Sequence, residues 1–469
     1  MVWKRNLGDA MTWTKTWGLV AGILVAALCL LLPLEGLGDK GRVGLALSLM
    51  IVTFWAFQIA QTGYTSGLYL VLLVILKVAE PKTVFSTWLN SSIYLIIGAY
   101  LIAGAVKSSG LGERIAYLFM LRFVTSFKSL IVSIFILTFG LSLIIPHAWP
   151  RAFLIMSVML VLIETAKVPR VDAVKIGFTV FAASVPVSMI FLTGASVTNP
   201  LAIEYAGVEL GWMGWLRVMG LPAAFASVMT CLLILLLFKP SKPLVVDKAA
   251  IGRKLQELGK LGGKEKRIIV WLSIAIALWT TDSIHKIDIG WVTFLLAMLM
   301  SLPVIGGVVD GKSWKDVPIH VLLFITAAVA IGKVGAETGM NAWIAQAVLP
   351  SYVPTNIFVL AALVTSFTIL VHMLLGSVLA VMGVAIPALL VFTEPLGISP
   401  LVTSLWAYSV IGTHYILPFH HMNTLVGQGE GNGLYSQKET IRLGIPLTAV
   451  VYLMTTFVEV GWWKAIGLL

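Results

Sequence analysis

Residues Pro146-His147-Ala148-Trp149-Pro150-Arg151 set an imidazole and a guanidinium four positions apart, between the apolar runs IVSIFILTFGLSLII (131–145) and AFLIMSVMLVLI (152–163). If the distal turn is helical, positions four apart share a face. A guanidinium with a neighbouring donor then grips a carboxylate or another oxyanion bidentately. An ionisable side chain inside hydrocarbon is costly and marks a functional site by default. Two further polar interruptions carry donors of the same use. One holds Thr198 and Asn199 within FLTGASVTNPLAIEYAG (191–207), and the other holds His414, His420, His421, Asn423 and Thr424 within GTHYILPFHHMNTLVGQGEGNG (412–433). A helix that breaks and restarts exposes free backbone N–H groups with positive partial charge, which suits an anion. A last interruption is Gly376-Ser377, in a stretch from Thr338 to Thr393 that has no Lys, Arg, Asp or Glu, and in which His372 is the only titratable side chain short of tyrosine. The candidate anion-binding residues are therefore His147, Ala148, Trp149, Arg151, Thr198, Asn199, Ser377, His420, Asn423 and Thr424. Histidine changes charge near neutral pH, so His147, His372, His414 and His421 are candidate proton-coupling groups.

Plainer roles compete at each position. Arg151 could neutralise a buried acid, His147 could cap a helix, and His372 could be a satisfied core histidine. His414 could satisfy a stray carbonyl, and Asn199 and Asn423 could be structural caps. Adjacent His420 and His421 point to different faces, and no third Cys or His stands at metal spacing. Most tryptophans read as interface anchors, and Lys333 as a snorkelling side chain.

These residues must be positioned by membrane helices. The chain has 469 residues, is 59% hydrophobic and 11% charged, and has a mean hydropathy of +0.98. That composition is an all-α polytopic membrane protein. Its net charge of +11 does not suggest nucleic acid, because nine Lys/Arg against three Asp/Glu sit in one loop, 239–267. Such a loop marks the cytoplasmic side and neighbours anionic lipid. Cys29 and Cys231 lie in apolar spans and read as packing residues. Apolar segments fall near 17–34, 43–61, 64–78, 91–106, 171–192, 214–238, 268–281, 289–305, 318–335, 400–417 and 443–461. These give about eleven transmembrane helices. The runs at 131–145 and 152–163 reach roughly 18–22 Å each, short of a core of about 30 Å. Blocks 129–164 and 354–393 are therefore expected as two re-entrant hairpins, the first turning at its prolines. Lys4, Arg5 and Lys15 precede the first span, so the N-terminus is expected in the cytoplasm of a cell whose inner membrane holds the protein, with the C-terminus outside. Lys77 and Lys82 break the bias.

The halves match at an offset of 229, where Ile96, Ala99, Ile102, Gly110, Ile115 and Ala116 meet Ile325, Ala328, Ile331, Gly339, Ile344 and Ala345. The matched spans cross in opposite directions, an inverted repeat of the secondary-transporter kind. The expected organisation is N-terminal scaffold helices (1–128), a first transport half of hairpin, broken helix and closing helix (129–238), the basic loop (239–267), second scaffold helices (268–345) and a second transport half (346–469). An enzyme is the distant alternative: there is no HExxH and no acid pair or nucleophile–base pair within the spans.

With its two hairpins, TGASVTNPLAIEYAG followed by GWMGWLRVMGLPAA, and FHHMNTLVGQGEGNG followed by Lys-Glu-Thr-Ile-Arg-Leu-Gly-Ile-Pro, the chain resembles the divalent anion/sodium symporter family over roughly residues 43–461. The resemblance implies a homodimer that moves dicarboxylates, citrate or sulfate by an elevator motion, with no cofactor. It also implies that Asn199 and Asn423 occupy the asparagine positions of the family's helix-breaking segments. The family's sodium sites use a Ser-Asn-Thr triplet at each hairpin tip. Here the first triplet falls within Pro146 to Trp149 and the second at Ser377-Val378-Leu379, so only Ser377 remains. Sodium needs several hard oxygen ligands, which leaves Gly194, Asn199, Ser377 and Asn423 as residual candidates. The expected function is a carrier of small organic anions of di- or tricarboxylate type, coupled to protons or running as an exchanger. Sodium coupling, or a sulfate or sulfonate substrate, is the alternative.

Overall fold

The structure, a computed structural model, describes the backbone of residues 2–348, 354, 356–375, 377–417, 420–429 and 431–469, with side chains from residue 13 onward except 14 and 345–348. Among these residues the chain is helical, with a single isolated bridge between Gln428 and Tyr435. Among the described residues seven helices are long and apolar enough to cross a membrane: Ser91–Ser109, Ala148–Thr165, Trp212–Leu237, Ile319–Glu337, Ile357–Leu374, Val378–Leu396 and Gln437–Ala465. Shorter apolar helices cover Lys15–Leu31, Thr62–Ile75, Phe127–Ser142 and Ile289–Ser301. The chain forms two compact units.

The first unit comprises Met1–Ile93, Leu201–Val208 and Pro318–Tyr408. At its centre the Ile319–Glu337 helix packs on Thr62–Ile75 and Asp39–Ala56. Lipid tails are as apolar as leucine, so such contacts rest on close packing and polar pairing rather than on hydrophobic burial. Gly63 accordingly abuts the backbone of His320, and the Trp55 and Phe324 rings meet at 4.7 Å beside Gly383. The second hairpin lies in this unit. Its arms, Ile357–Leu374 and Val378–Thr393, pack against each other. Gly376, the expected turn residue, lies outside the described residues. Ser377 is the extended residue that precedes the second arm.

The second unit comprises Tyr94–Pro200, Glu209–Val317 and Ser409–Leu469. The helix Arg170–Val187 is buried on nearly every face, with Phe178, Phe181 and Ala183 fully enclosed. A helix apolar all round belongs at the centre. The first hairpin, Trp212–Leu237 and the short helix Met422–Val426 all pack on it. That hairpin corrects the expected turn. Its arms are Phe127–Ser142 and Ala148–Thr165, and the break is 143–147. Pro150 is the third residue of the second arm, where the missing N–H has no intrahelical partner to lose. Trp149, Pro150 and Arg151 therefore belong to a helix of 18 residues, about 27 Å long, rather than to the turn.

The 229 offset has a backbone counterpart. Gly110 and Gly339, each of which follows a 19-residue helix, adopt left-handed φ of +80° and +75°. Only glycine holds that conformation without strain.

From the helix Leu111–Phe123, Arg114 clamps Glu265 at the end of the basic loop at 2.7 Å and also donates to the Gly259 and Leu258 carbonyls. The guanidinium holds the Glu265 carboxyl below the usual carboxylate range. A depressed folded value means that the stabilisation is present above the ordinary carboxylate pKa and is lost as pH falls through the folded value. Limited proteolysis at 258–265 is expected to be slow at neutral pH and to accelerate on acidification, with E265Q cleaved quickly at both. A second expectation concerns packing. A Cβ at Gly177 would sit 1.8 Å from the Gly433 carbonyl oxygen, whereas one at Gly140 meets nothing within 4 Å. G177A is expected to lower the midpoint of thermal unfolding in detergent, at a cost of about 1–3 kcal/mol or more, and G140A to leave it unchanged or raise it.

Candidate functional site

The Arg170–Val187 helix carries Pro186 in its last turn, and the chain leaves the helix at Ser188. A short 3-10 turn, Leu192–Ala195, and a restart at Thr198–Ala206 follow. The break leaves carbonyls without intrahelical donors, and buried carbonyls must find others. Asn199, fully buried, supplies one amide to three of them: Nδ2 donates to Ser188 O at 3.0 Å, Phe191 O at 2.9 Å and Leu192 O at 3.2 Å. Trp215 Nε1 donates to Met189 O at 3.0 Å. Trp212 donates to Thr193 Oγ1 and stacks on Phe191 with centroids 5.3 Å apart. Asn199 thus does the structural work of a cap, and Thr198 starts the new helix beside it.

Arg151 is the side chain around which this break and the first hairpin meet. It is fully buried. Nη1 donates to Ile145 O at 2.9 Å and to Gly194 O at 3.3 Å, and Nη2 donates to Ser188 Oγ, which in turn donates to the Ser184 carbonyl. The Ser196 N–H closes the same junction on Pro146 O at 3.2 Å. Gly194 is required here, since a Cβ would sit 2.5 Å from Ser188 O. Nε–H has no acceptor among the described residues, and no acid there forms an ion pair with Arg151. The Gly194 carbonyl, a residual sodium candidate, is thereby already engaged by a cation.

His147 is the N-cap of the second arm, and its Nδ1 accepts the Trp149 N–H at 3.2 Å. Its ring lies edge-on to Tyr100 and Trp149 at 4.8 and 5.5 Å. His147 and Arg151 therefore hold different partners rather than one shared fork. Ala148 is buried at the same turn.

The second break lies between Pro400–Thr413 and Met422–Val426. His414 is fully buried at the helix end, with its ring 5.4 Å from that of His420. His420 Nδ1 accepts the N–H groups of Ile416 and Leu417 at 3.0 and 3.2 Å, so a neutral ring carries its proton on Nε2. Thr424 is fully buried; its hydroxyl donates to His421 O at 2.9 Å, and its carbonyl accepts from Tyr435 Oη at 2.5 Å. Asn423 is buried beside it, and His421 is half-buried with its ring edge toward Tyr415. The second unit thus holds the first hairpin tip and both breaks. His372, fully buried, and Ser377, half-buried, belong to the first unit.

Two buried or partnered acids, Glu204 and Glu459, are not singled out by the sequence reading. Glu204 accepts from Asn90 at 2.6 Å and Ser92 at 3.1 Å and lies 3.8 Å from Lys333, which is thus partnered rather than merely snorkelling. Glu459 is fully buried in the last helix. A lysine within an apolar span (Lys333) was the available signal for the first. Glu459 sits two residues from the end of its expected span, where charge is ordinary.

A family model described as the sodium:sulfate symporter transmembrane region matches residues 13–469. Among curated relatives, a membrane protein of Cupriavidus necator is 23% identical over 97% of this chain and 93% of its own. The sodium-dependent dicarboxylate transporter SdcS of Staphylococcus saprophyticus is 22% identical over 93% and 89%. The solved structure of the Alcanivorax borkumensis YdaH transporter shares the fold, with a TM-score of 0.53 and 13% identity over 92% of this chain and 99% of that one. The chain belongs to the sodium:sulfate symporter family, the divalent anion/sodium symporters, and is a multi-pass membrane transporter rather than an enzyme.

The triple acceptor set of Asn199 makes a specific demand. N199D keeps the shape but turns two oxygens toward three carbonyls, and it can donate at most one proton, as the neutral acid. It is expected to unfold at lower temperature than N199A, which itself loses about 1–3 kcal/mol; thermal unfolding in detergent checks the order.

Proposed function

We propose that this family member is a secondary carrier of small organic anions of dicarboxylate type, driven by protons or by exchange against a second anion. The observation that carries the reading is the buried Arg151 guanidinium, held by neutral oxygens with no carboxylate beside it. Burying an uncompensated charge costs several kcal/mol even after relaxation. Hydrogen bonds to carbonyls offset part of this, and an anionic substrate offsets the rest. In this position the guanidinium takes the hard oxygens that a sodium ion would need, so a fixed charge serves where the family's triplet is missing. The helix ends at both breaks add partial positive charge, and Thr198, Thr424 and Asn423 add neutral partners. Substrate contacts from Ala148, Trp149, His147 and His420 complete the proposed site.

Supporting the wider reading, Gly110 and Gly339 share one backbone conformation at the repeat offset, and each half carries a paired-helix hairpin. An inverted repeat whose transport halves (129–238 and 346–469) move by an elevator motion within a homodimer, N-terminus in the cytoplasm and C-terminus outside, follows as part of the proposal. Sodium coupling is the second reading, favoured by the relative named a sodium-dependent dicarboxylate transporter.

Succinate uptake into proteoliposomes under an inward proton gradient, an inward sodium gradient, or internal unlabelled succinate separates these. Stimulation by protons or internal succinate without sodium is expected. R151K keeps the charge but loses the planar fork, and is expected to lower succinate affinity at least tenfold, about 1.4 kcal/mol. Strict sodium dependence, or an R151K protein with unchanged affinity, would overturn the assignment.

A further inference from the structure

Glu459 ends a π-helical segment, Met454–Glu459, inside the last apolar helix of the chain. π-segments appear mostly as single insertions at functional sites. The Glu459 carboxyl is fully buried, and neither oxygen completes a hydrogen bond among the described residues. Ser409 Oγ, also buried and also without a hydrogen-bond partner of ordinary geometry there, is the hydroxyl that bears on it. One turn back, the Thr456 hydroxyl is in the same condition.

Among the described residues, no ion pair to Glu459 forms. The π-segment packs against Trp212–Leu237. Trp463 Nε1 on Val218 O at 3.1 Å, and Arg442 over the Phe238 ring at 5.1 Å, set these helices antiparallel. That register puts Glu459 level with the Pro222 turn. The titratable groups of the packing helix are Arg217 and Cys231. Arg217 donates to Ile466 O at 3.1 Å, beyond the π-segment, and Cys231 lies about two turns past Pro222. On its own helix Tyr452 is two turns back and Lys464 is exposed. Residues 409–413, the turn that carries Ser409, hold no titratable side chain, and His414 begins the break that follows.

A carboxylate so placed costs several kcal/mol, and a neutral carboxyl far less. While the site is sealed, the side chain therefore holds a proton; it ionises only when the Ser409 side opens to water. A buried carboxyl without a charged partner changes its state only by gaining or losing that proton. Ser409 sits where that proton can be felt. Its carbonyl accepts the Thr413 hydroxyl at 2.5 Å, and the His414 N–H closes the same turn on Val410 O at 2.8 Å. We propose that Glu459 is the proton-carrying carboxyl of the transport cycle. It takes one proton from water on the side where the anion enters and gives the same proton to water on the other side, and Ser409 links its state to the broken segment at His414. This inference rests on the carrier reading above.

The test uses the full-length protein in proteoliposomes with two assays. Counterflow of labelled against unlabelled succinate at equal pH tests the carrier reading alone. Sodium-free uptake under an inward proton gradient tests Glu459. E459Q, which is permanently neutral, is expected to retain counterflow while its ratio of gradient-driven to gradient-free uptake falls to one. E459D is expected to keep the stimulation with a displaced pH profile, and S409A to weaken it. Wild-type counterflow without proton stimulation, or an E459Q protein stimulated like the wild type, would overturn the proposal. Should succinate fail in counterflow or E459Q fail to fold, the infrared spectrum of the detergent-purified wild type decides. A carboxylic-acid C=O band at neutral pH that shifts in frequency in E459D is expected, and a band that is missing or unmoved overturns the proposal whatever the substrate.

Discussion

The first hairpin tip and the first helix break meet around one buried charge. Arg151 cannot leave its cation in an apolar interior without oxygen partners, and the chain supplies three from two separate segments: Ile145 at the hairpin tip, and Ser188 and Gly194 in the broken helix. Around the same junction Gly194 leaves room for Ser188 O, Asn199 and the Trp215 indole satisfy carbonyls that the helix break frees, and the Ser196 amide closes on Pro146. The break in the helix is therefore a cation-binding surface filled by the protein's own side chain. What the arrangement lacks is negative charge, and an anion carrier is the function that brings it.

The second break is built differently. No fixed charge lies there among the described residues; it holds a cluster of His414, His420 and His421, with the His420 ring capping two backbone amides and Tyr435 anchoring Thr424 from the loop beyond. On the proposed reading, the first break supplies a permanent cation and the second a set of histidines as candidate proton-coupling groups. Glu459, one helix turn from an orphaned threonine hydroxyl and facing Ser409, extends the second kind. The same low dielectric that makes Arg151 demand oxygens makes an unpaired Glu459 demand a proton.

Much of this was legible in the residues. Polar interruptions at 146–151, 191–207 and 412–433 stand out against hydrocarbon, and each proved to be a helix end or break. Gly110 and Gly339, paired by the repeat offset, share a left-handed backbone. The direction of Arg151 was not legible. Two prolines around His147-Ala148-Trp149 suggest a loop, yet Pro150 sits harmlessly in a first helical turn, which turns Arg151 inward rather than toward a fork with His147. Its acceptor at Gly194, 43 residues away, is set by tertiary packing alone. Asn199 reads in the sequence as a substrate group or a structural cap, and the three carbonyls that its amide serves are brought together only by the fold. Glu459 was hidden because a glutamate near a helix end normally reaches water; burial by the neighbouring helix removes that exit.

The most direct test of the central claim is calorimetric binding of succinate to the purified protein in sodium-free buffer. If Arg151 is the resident cation, succinate binds without sodium and the affinity is unchanged when sodium is added. Binding that appears only with sodium would show that the guanidinium does not replace the ion, and would contradict the account.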